Sequence, residues 1–117
     1  MSTFSEEMQR TAFQKKAVLK IPPADALRYA TTFLTERGYR AGPAARPNQI
    51  FVLGKAEGVF PRVTGEIRAQ ANVGKPGTTL VTLDGFGERL GPTLKELLVL
   101  LRAESKATVS AVRDGGA

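Results

Sequence analysis

Residues 63–73 read VTGEIRAQANV, and small or apolar side chains alternate with polar ones along the whole stretch. An alternation with a period of two predicts a β-strand that has one buried face. Residues 74–77, GKPG, then predict a turn, and residues 78–86 predict a returning strand. The sequence therefore predicts a long antiparallel hairpin at the centre of the fold.

Four further segments predict two more strands and two helices. Residues 13–21 alternate between apolar and polar side chains, and residues 50–53, IFVL, predict a strand that is apolar on both faces. Residues 23–37 and 91–104 carry apolar side chains at spacings of three and four, which is typical of helices with one buried side. We therefore predict a two-layer α+β fold, an antiparallel sheet with two helices on one face, in the order β-α-β-β-β-α.

These elements fall within one predicted domain, residues 13–104. Residues 1–12 lack periodicity and predict a flexible N-terminal arm, and residues 105–117 are rich in small residues and predict a flexible C-terminal tail. Residues 42–47, with two prolines, predict a loop. The order of the elements is similar to that of the α+β folds grouped with the TATA-binding-protein domain, and the similarity is one of order.

The chain of 117 residues contains neither cysteine nor histidine. Without cysteine it has no disulfide, no thiolate nucleophile and no usual structural zinc site, which fits a reducing compartment. Without histidine it lacks the side chain that most often acts as a general base near neutral pH. We therefore expect a protein that is not an enzyme, with no catalytic residues, no metal site and no cofactor.

Two features of the sequence bear on its location. The longest apolar run, residues 97–101, is far shorter than the roughly 20 residues that cross a bilayer. Residues 1–10 include Glu6 and Glu7 and contain no apolar segment, so they predict neither a signal peptide nor a transit peptide. We therefore expect a cytoplasmic protein without membrane contacts.

A glycine-rich segment between the last strand and the last helix is a candidate anion or ligand loop. Glycines let the backbone approach a ligand, and the amino end of a helix attracts anions. The alternative is a connection that simply changes direction between strand and helix. The residues of this candidate loop are Gly85, Gly87, Arg89 and Gly91.

Positive charge makes nucleic acid a second candidate partner. The chain has 17 Lys and Arg against 11 Asp and Glu, a formal net charge of +6, and Lys16, Lys20 and Arg68 fall on polar positions of predicted strands. Proteins that bind single strands also stack bases on exposed aromatic rings. Because Phe13, Phe33 and Phe51 are assigned to the core, nucleic-acid binding is an alternative that we do not favour.

The buried side of the long predicted strand is unusually small, with Gly65, Ala69 and Ala71. Small side chains allow a helix to approach the sheet closely. The alternative is a cavity between helix and sheet that holds a hydrophobic ligand.

Excess apolar surface predicts self-association. Residues 50–53 are apolar on both faces, and Val99 and Leu100 widen the apolar stripe of the last helix beyond what one sheet face covers. Our leading hypothesis is therefore a small binding or interaction module that acts as a homodimer or with another protein. A hydrophobic-ligand binder and a weak nucleic-acid binder are the alternatives.

Overall fold

The structure, a computed structural model, describes residues 4–71 and 76–115 and has an α+β fold, as the sequence predicts. Five antiparallel strands form one sheet in the order β1-β5-β4-β3-β2. The strands are β1 (Phe13–Leu19), β2 (Arg40–Pro43), β3 (Gln49–Leu53), β4 (Thr64–Ala71) and β5 (Thr79–Gly85). The helices are α1 (Phe4–Thr11), α2 (Pro23–Glu36) and α3 (Leu90–Gly115).

The predicted central hairpin corresponds to β4 and β5. Ile67 pairs with Leu83 and Ala69 pairs with Val81, and all four side chains are fully excluded from solvent. Half of the predicted turn, Gly74 and Lys75, lies within residues 72–75, which are outside the described residues. The alternation in the sequence therefore identifies both the strands and the face that is buried.

Helices α2 and α3 lie together on one face of the sheet, which confirms the two-layer arrangement. Helix α2 contacts β2, β3, β4 and β5, whereas α3 contacts β1 and β5, and the two helices also contact each other. The predicted stripe of α3 is buried to 5% exposure or less at Leu94, Leu97, Leu98 and Leu101. We call this side of the sheet the covered face.

Small residues on the covered face make room for the start of α3. A Cβ atom on Gly85 would lie 3.0 Å from Leu94 Cδ1, and one on Gly65 would lie 2.7 Å from the carbonyl oxygen of Asp84. These glycines therefore serve close packing, which was the first of the two interpretations. Ala71, in contrast, is exposed at the last position of β4.

Residues 4–11 form helix α1, where the sequence predicted an irregular arm. Glu6 and Glu7 lie in the first turn and Arg10 in the last, so the charges complement the helix dipole. Arg10 binds both Glu7 and Glu88, and the Thr11 hydroxyl accepts a hydrogen bond from the Gly87 N–H at 3.0 Å. These contacts dock α1 on the segment that joins β5 to α3.

Helix α3 continues to Gly115, where the sequence predicted a domain boundary at residue 104 and a tail beyond it. Small residues bury little surface, but alanine is the strongest helix former, and Ala103 and Ala107 extend a helix that is already anchored. Ser105 is buried, and its hydroxyl accepts a hydrogen bond from the Lys20 N–H at 2.8 Å. The packed part of the domain therefore includes Ser105.

Strand β2 is an addition to the predicted order, since residues 42–47 were assigned to a loop. It is a four-residue edge strand that pairs only with β3. Proline is tolerated at a sheet edge, and Pro43 is the last residue of this strand.

Among residues 4–71 and 76–115, none of the helices has the length and apolar character needed to cross a membrane.

Candidate functional site

The side of the sheet opposite the helices, which we call the open face, carries two adjacent rows of charge. The strand register places Lys16, Thr82, Arg68 and Gln49 in one row across four strands, which we call the basic row. The next row contains Gln14, Asp84, Glu66 and Phe51, and we call it the acidic row. The open face therefore presents opposite charges side by side.

The structure unites two of the three predicted nucleic-acid residues. Lys16 and Arg68 share the basic row at a separation of two strand spacings, about 10 Å. Lys20 follows the last residue of β1 and lies outside the row. Arg68 Nε lies 3.9 Å from Glu66 Oε1, so the acidic row partly neutralises the basic row. The positive charge on this face is not continuous.

Phe51 lies on the open face, so its assignment to the core was wrong. Its ring packs against Gly42 of the neighbouring strand, at 3.4 Å from where a Cβ would stand, and the side chain is half-buried. The sequence did not reveal this, because residues 50–53 are apolar at every position and alternation cannot choose between the faces. Phe33 is buried in the core, and Phe13 is partly buried and packs against the core.

The glycine-rich loop is shaped by packing. Gly87 has φ +119°, a value that L side chains rarely adopt, and a Cβ there would lie 2.8 Å from Glu57 Oε1. Gly91 is buried and its N–H donates to the Gly87 carbonyl at 3.0 Å. Gly85 lies under Leu94. Each of these three glycines therefore has a structural role in joining β5 to α3.

A carboxylate of the chain itself occupies the anion position of this loop. Glu57 Oε1 accepts a hydrogen bond from the Arg89 N–H at 2.8 Å, at the start of α3. The negative charge complements the positive end of the helix dipole. Glu57 belongs to a tight turn that precedes β4, and 32 residues separate it from Arg89. The local sequence of the loop therefore gave no signal of this contact.

A groove of about 810 Å³ runs between α2 and the hairpin formed by β2 and β3. Its walls are mainly aliphatic, and two arginines, Arg28 and Arg46, also line it. The alternative interpretation of the small residues of β4 was a cavity between helix and sheet, and the groove lies between α2 and the β2 edge of the sheet. Its residues come from three separate elements, so no single motif indicated it.

The two surfaces predicted for self-association differ in how much apolar side chain they expose. On α3, Val99 is 62% exposed, but Leu100 packs partly against the core, which leaves little apolar area there. On the open face, Phe51 and Leu53 are partly exposed near one end, and Val18 is 61% exposed near the other. The open face is therefore the larger of the two candidates.

A scan of the sequence against protein-family models and a search of curated protein sequences both find no match. The structure is similar to the crystal structure of DR_A0006 from Deinococcus radiodurans, with 12% sequence identity and a TM-score of 0.38. The aligned region covers 80% of this chain and 96% of that chain. None of these comparisons indicates a function.

Proposed function

We propose that this protein is a non-enzymatic binding module that associates with a second copy of itself through the open face. The supporting observation is the basic row directly beside the acidic row. An interface between two identical copies related by a two-fold axis must be complementary to itself. A face that carries opposite charges in neighbouring rows meets this requirement.

The geometry of such a dimer follows from the register. A two-fold axis that lies in the interface and runs across the strands between the two rows places each basic row over the acidic row of the second copy. Arg68 then lies opposite Glu66 of the second copy, and symmetry repeats this pair. The 3.9 Å separation of Arg68 and Glu66 within one chain is too long for a direct hydrogen bond, so guanidinium donors remain for the partner.

Apolar side chains at both ends of the open face supply contact area. Val18 and Leu80 lie in neighbouring strands at one end, and Phe51 and Leu53 lie in β3 towards the other. Removing apolar surface from water contributes about 25 cal/mol per Å², whereas complementary charge fixes register and partner choice. The combination favours a specific dimer of moderate affinity.

The proposal assigns no reaction to the chain. Three carboxylates that a reaction would need already make structural contacts. Glu57 accepts the Arg89 N–H, Glu88 binds Arg10, and Glu66 accepts a hydrogen bond from the Gln49 side chain at 2.7 Å.

Sedimentation equilibrium of the wild-type chain and two variants tests the proposal. We expect a dimer at roughly tens of micromolar, a range in which a complex with a Kd near 1 μM is populated. Arg68→Glu places a carboxylate opposite Glu66 of the second copy, and symmetry repeats this repulsion. We expect it to weaken association by about tenfold or more. The double variant Glu66→Arg/Arg68→Glu exchanges the charges and restores the pair, so it should recover the dimer.

Arg102→Glu is the matched control, because Arg102 is an exposed arginine on α3, away from the open face. It makes the same change of charge and should leave the dimer intact. A chain that remains monomeric at these concentrations contradicts the proposal, and so does a dimer that Arg68→Glu leaves unchanged.

Nucleic-acid binding is the second candidate, favoured by one observation. Phe51 lies on the same face as Lys16 and Arg68, so a partly exposed aromatic ring accompanies two cations. Base stacking on an aromatic side chain contributes roughly 1–3 kcal/mol. The acidic row beside these residues opposes a phosphate backbone, and for that reason we rank this candidate second.

A further inference from the structure

The groove between α2 and the β2–β3 hairpin meets the open face at Gln49 but lies mainly on the α2 side of the hairpin, and it has the size of a ligand site. Its volume of about 810 Å³ lies within the range of roughly 300–1,000 Å³ that is typical of small-molecule sites. We propose that it binds a fatty-acid-like amphipathic anion, an aliphatic chain that ends in a carboxylate. Six aliphatic residues that line it are Ala24, Leu27, Ala41, Pro43, Ala45 and Ile50.

The charge of the groove selects an anion. Arg28 lines it from α2 and Arg46 from the loop that joins β2 to β3, while the described lining residues include no Asp or Glu. Asp25 lies 3.5 Å from Arg28, but both side chains are about half exposed, and an exposed pair of this kind contributes about 0–1 kcal/mol. The Arg28 guanidinium has five donors, so it retains capacity for a carboxylate.

The two arginines come from different walls of the groove. Helix α2 turns back into β2 within residues 37–39, so β2 runs antiparallel to α2 and its far end lies beside the first turns of the helix. Arg28 lies in the first half of α2, and Arg46 lies just beyond the end of β2. A carboxylate head group can therefore contact Arg28 or Arg46, while the aliphatic tail packs on the apolar residues of the groove.

An extended peptide added to the edge of β2 fits this site less well. The Ala44 N–H donates to the Gln49 carbonyl, so by alternation the backbone groups of Ala41 and Pro43 point to the outer edge. Proline has no N–H, and an added strand would lose that hydrogen bond. The edge is therefore poorly suited to strand addition.

A nucleotide also fits less well. Bases are held by stacking on aromatic side chains, and the described residues that line the groove include none. Aliphatic walls that also carry two cations match the two parts of a fatty acid instead. Each CH₂ group that is buried tightens binding by up to about fourfold.

Titration of the ¹⁵N-labelled chain with dodecanoate, below its micelle concentration, tests the proposal by NMR. We expect saturable shifts centred on Ala41 and Ile50, with octanoate weaker by about twofold to fourfold per missing CH₂. Dodecanol, which has the same chain and no charge, should bind about tenfold more weakly or worse. Arg28→Gln/Arg46→Gln should weaken dodecanoate by a similar factor, and Arg102→Gln on α3 should not.

Tryptophan substitutions block the groove from either wall. Ala24 and Ala45 are both exposed, so Ala24→Trp and Ala45→Trp add bulk to the groove without entering the core. Each should abolish the dodecanoate shifts, whereas Ala103→Trp, at an exposed position on α3, should preserve them. Unsaturable shifts, or binding that survives both groove variants, overturn the proposal. Binding to phosphatidylglycerol vesicles without binding of monomeric dodecanoate also overturns it and assigns the arginines to a lipid surface.

Discussion

On the covered face of the sheet, Ile67, Ala69 and Leu83 have no exposed surface, whereas on the open face Arg68 and Glu66 expose 42% and 43% of their side chains. Residues of the same strand, one position apart, therefore lie in opposite environments. The covered face is filled by side chains of both helices, such as Leu34 of α2 and Leu97 of α3. The open face tolerates change, and this tolerance leaves it available for recognition.

The largest expected difference between the faces is the cost of removing a leucine from β5. Leu83→Ala empties a fully buried position and should destabilise the fold by about 2–5 kcal/mol, because the lost contacts leave a cavity. Leu80→Ala removes the same atoms from a partly exposed position of the open face and should cost less than about 1 kcal/mol. Urea unfolding of both variants measures the difference. Equal losses would mean that the open face is packed as the covered face is.

The same increase in side-chain volume should have different effects on stability at two alanines of β4. Ala69→Leu inserts three carbon atoms where the side chain is already fully buried, and we expect a loss of about 1–3 kcal/mol from overpacking. Ala71→Leu makes the same change at an exposed position and should stay within about 0.5 kcal/mol. The midpoints of urea unfolding decide this prediction. An unchanged midpoint for Ala69→Leu would reveal open space beneath α2.

The sequence predicts the covered face better than the open face because burial leaves a periodic pattern. The alternation of β4 and the leucine stripe of α3 both depend on contact with one core. Helix α1 and strand β2 have no such pattern, since α1 is docked by Arg10 and Thr11 and β2 contains Gly42 and Pro43. Short elements that are held by polar contacts or at an edge are therefore the ones that sequence reasoning misses.

The candidate sites are harder to predict than the fold because they join residues that are distant in the sequence. The charge rows depend on strand order and register, so Lys16 and Arg68 become neighbours only when β5 lies between their strands. The groove requires α2 to lie beside an edge strand that was not predicted. The contact of Glu57 with Arg89 likewise needs two loops to meet.

The contact between Glu57 and the loop that joins β5 to α3 should stabilise the fold, as contacts on the covered face do. Glu57→Gln keeps an oxygen acceptor for the Arg89 N–H but removes the charge at the start of α3, and should cost about 0.3–1 kcal/mol at low ionic strength. Glu36→Gln is the matched control, because Glu36 is exposed in the last turn of α2, where a carboxylate opposes the dipole. It should be neutral or slightly stabilising. A stabilising effect of Glu57→Gln in urea unfolding would assign the loop to ligand binding instead.

The smallest effect per site on stability is expected for Lys16, Lys20 and Arg68, the three cations of the candidate nucleic-acid face. The triple variant Lys16→Gln/Lys20→Gln/Arg68→Gln should change the free energy of unfolding by no more than about 0.5 kcal/mol per site, because Lys16 and Lys20 are exposed and the partly exposed Arg68 makes a long ion pair. Wild-type binding to short DNA or RNA at physiological salt should be weak and indifferent to sequence, since Asp84 and Glu66 lie beside the cations. Fluorescence anisotropy at two salt concentrations measures it. Submicromolar binding that falls steeply with salt and disappears in the triple variant would reverse the order of the two candidates, because a face dominated by its acidic row cannot hold a phosphate backbone that tightly.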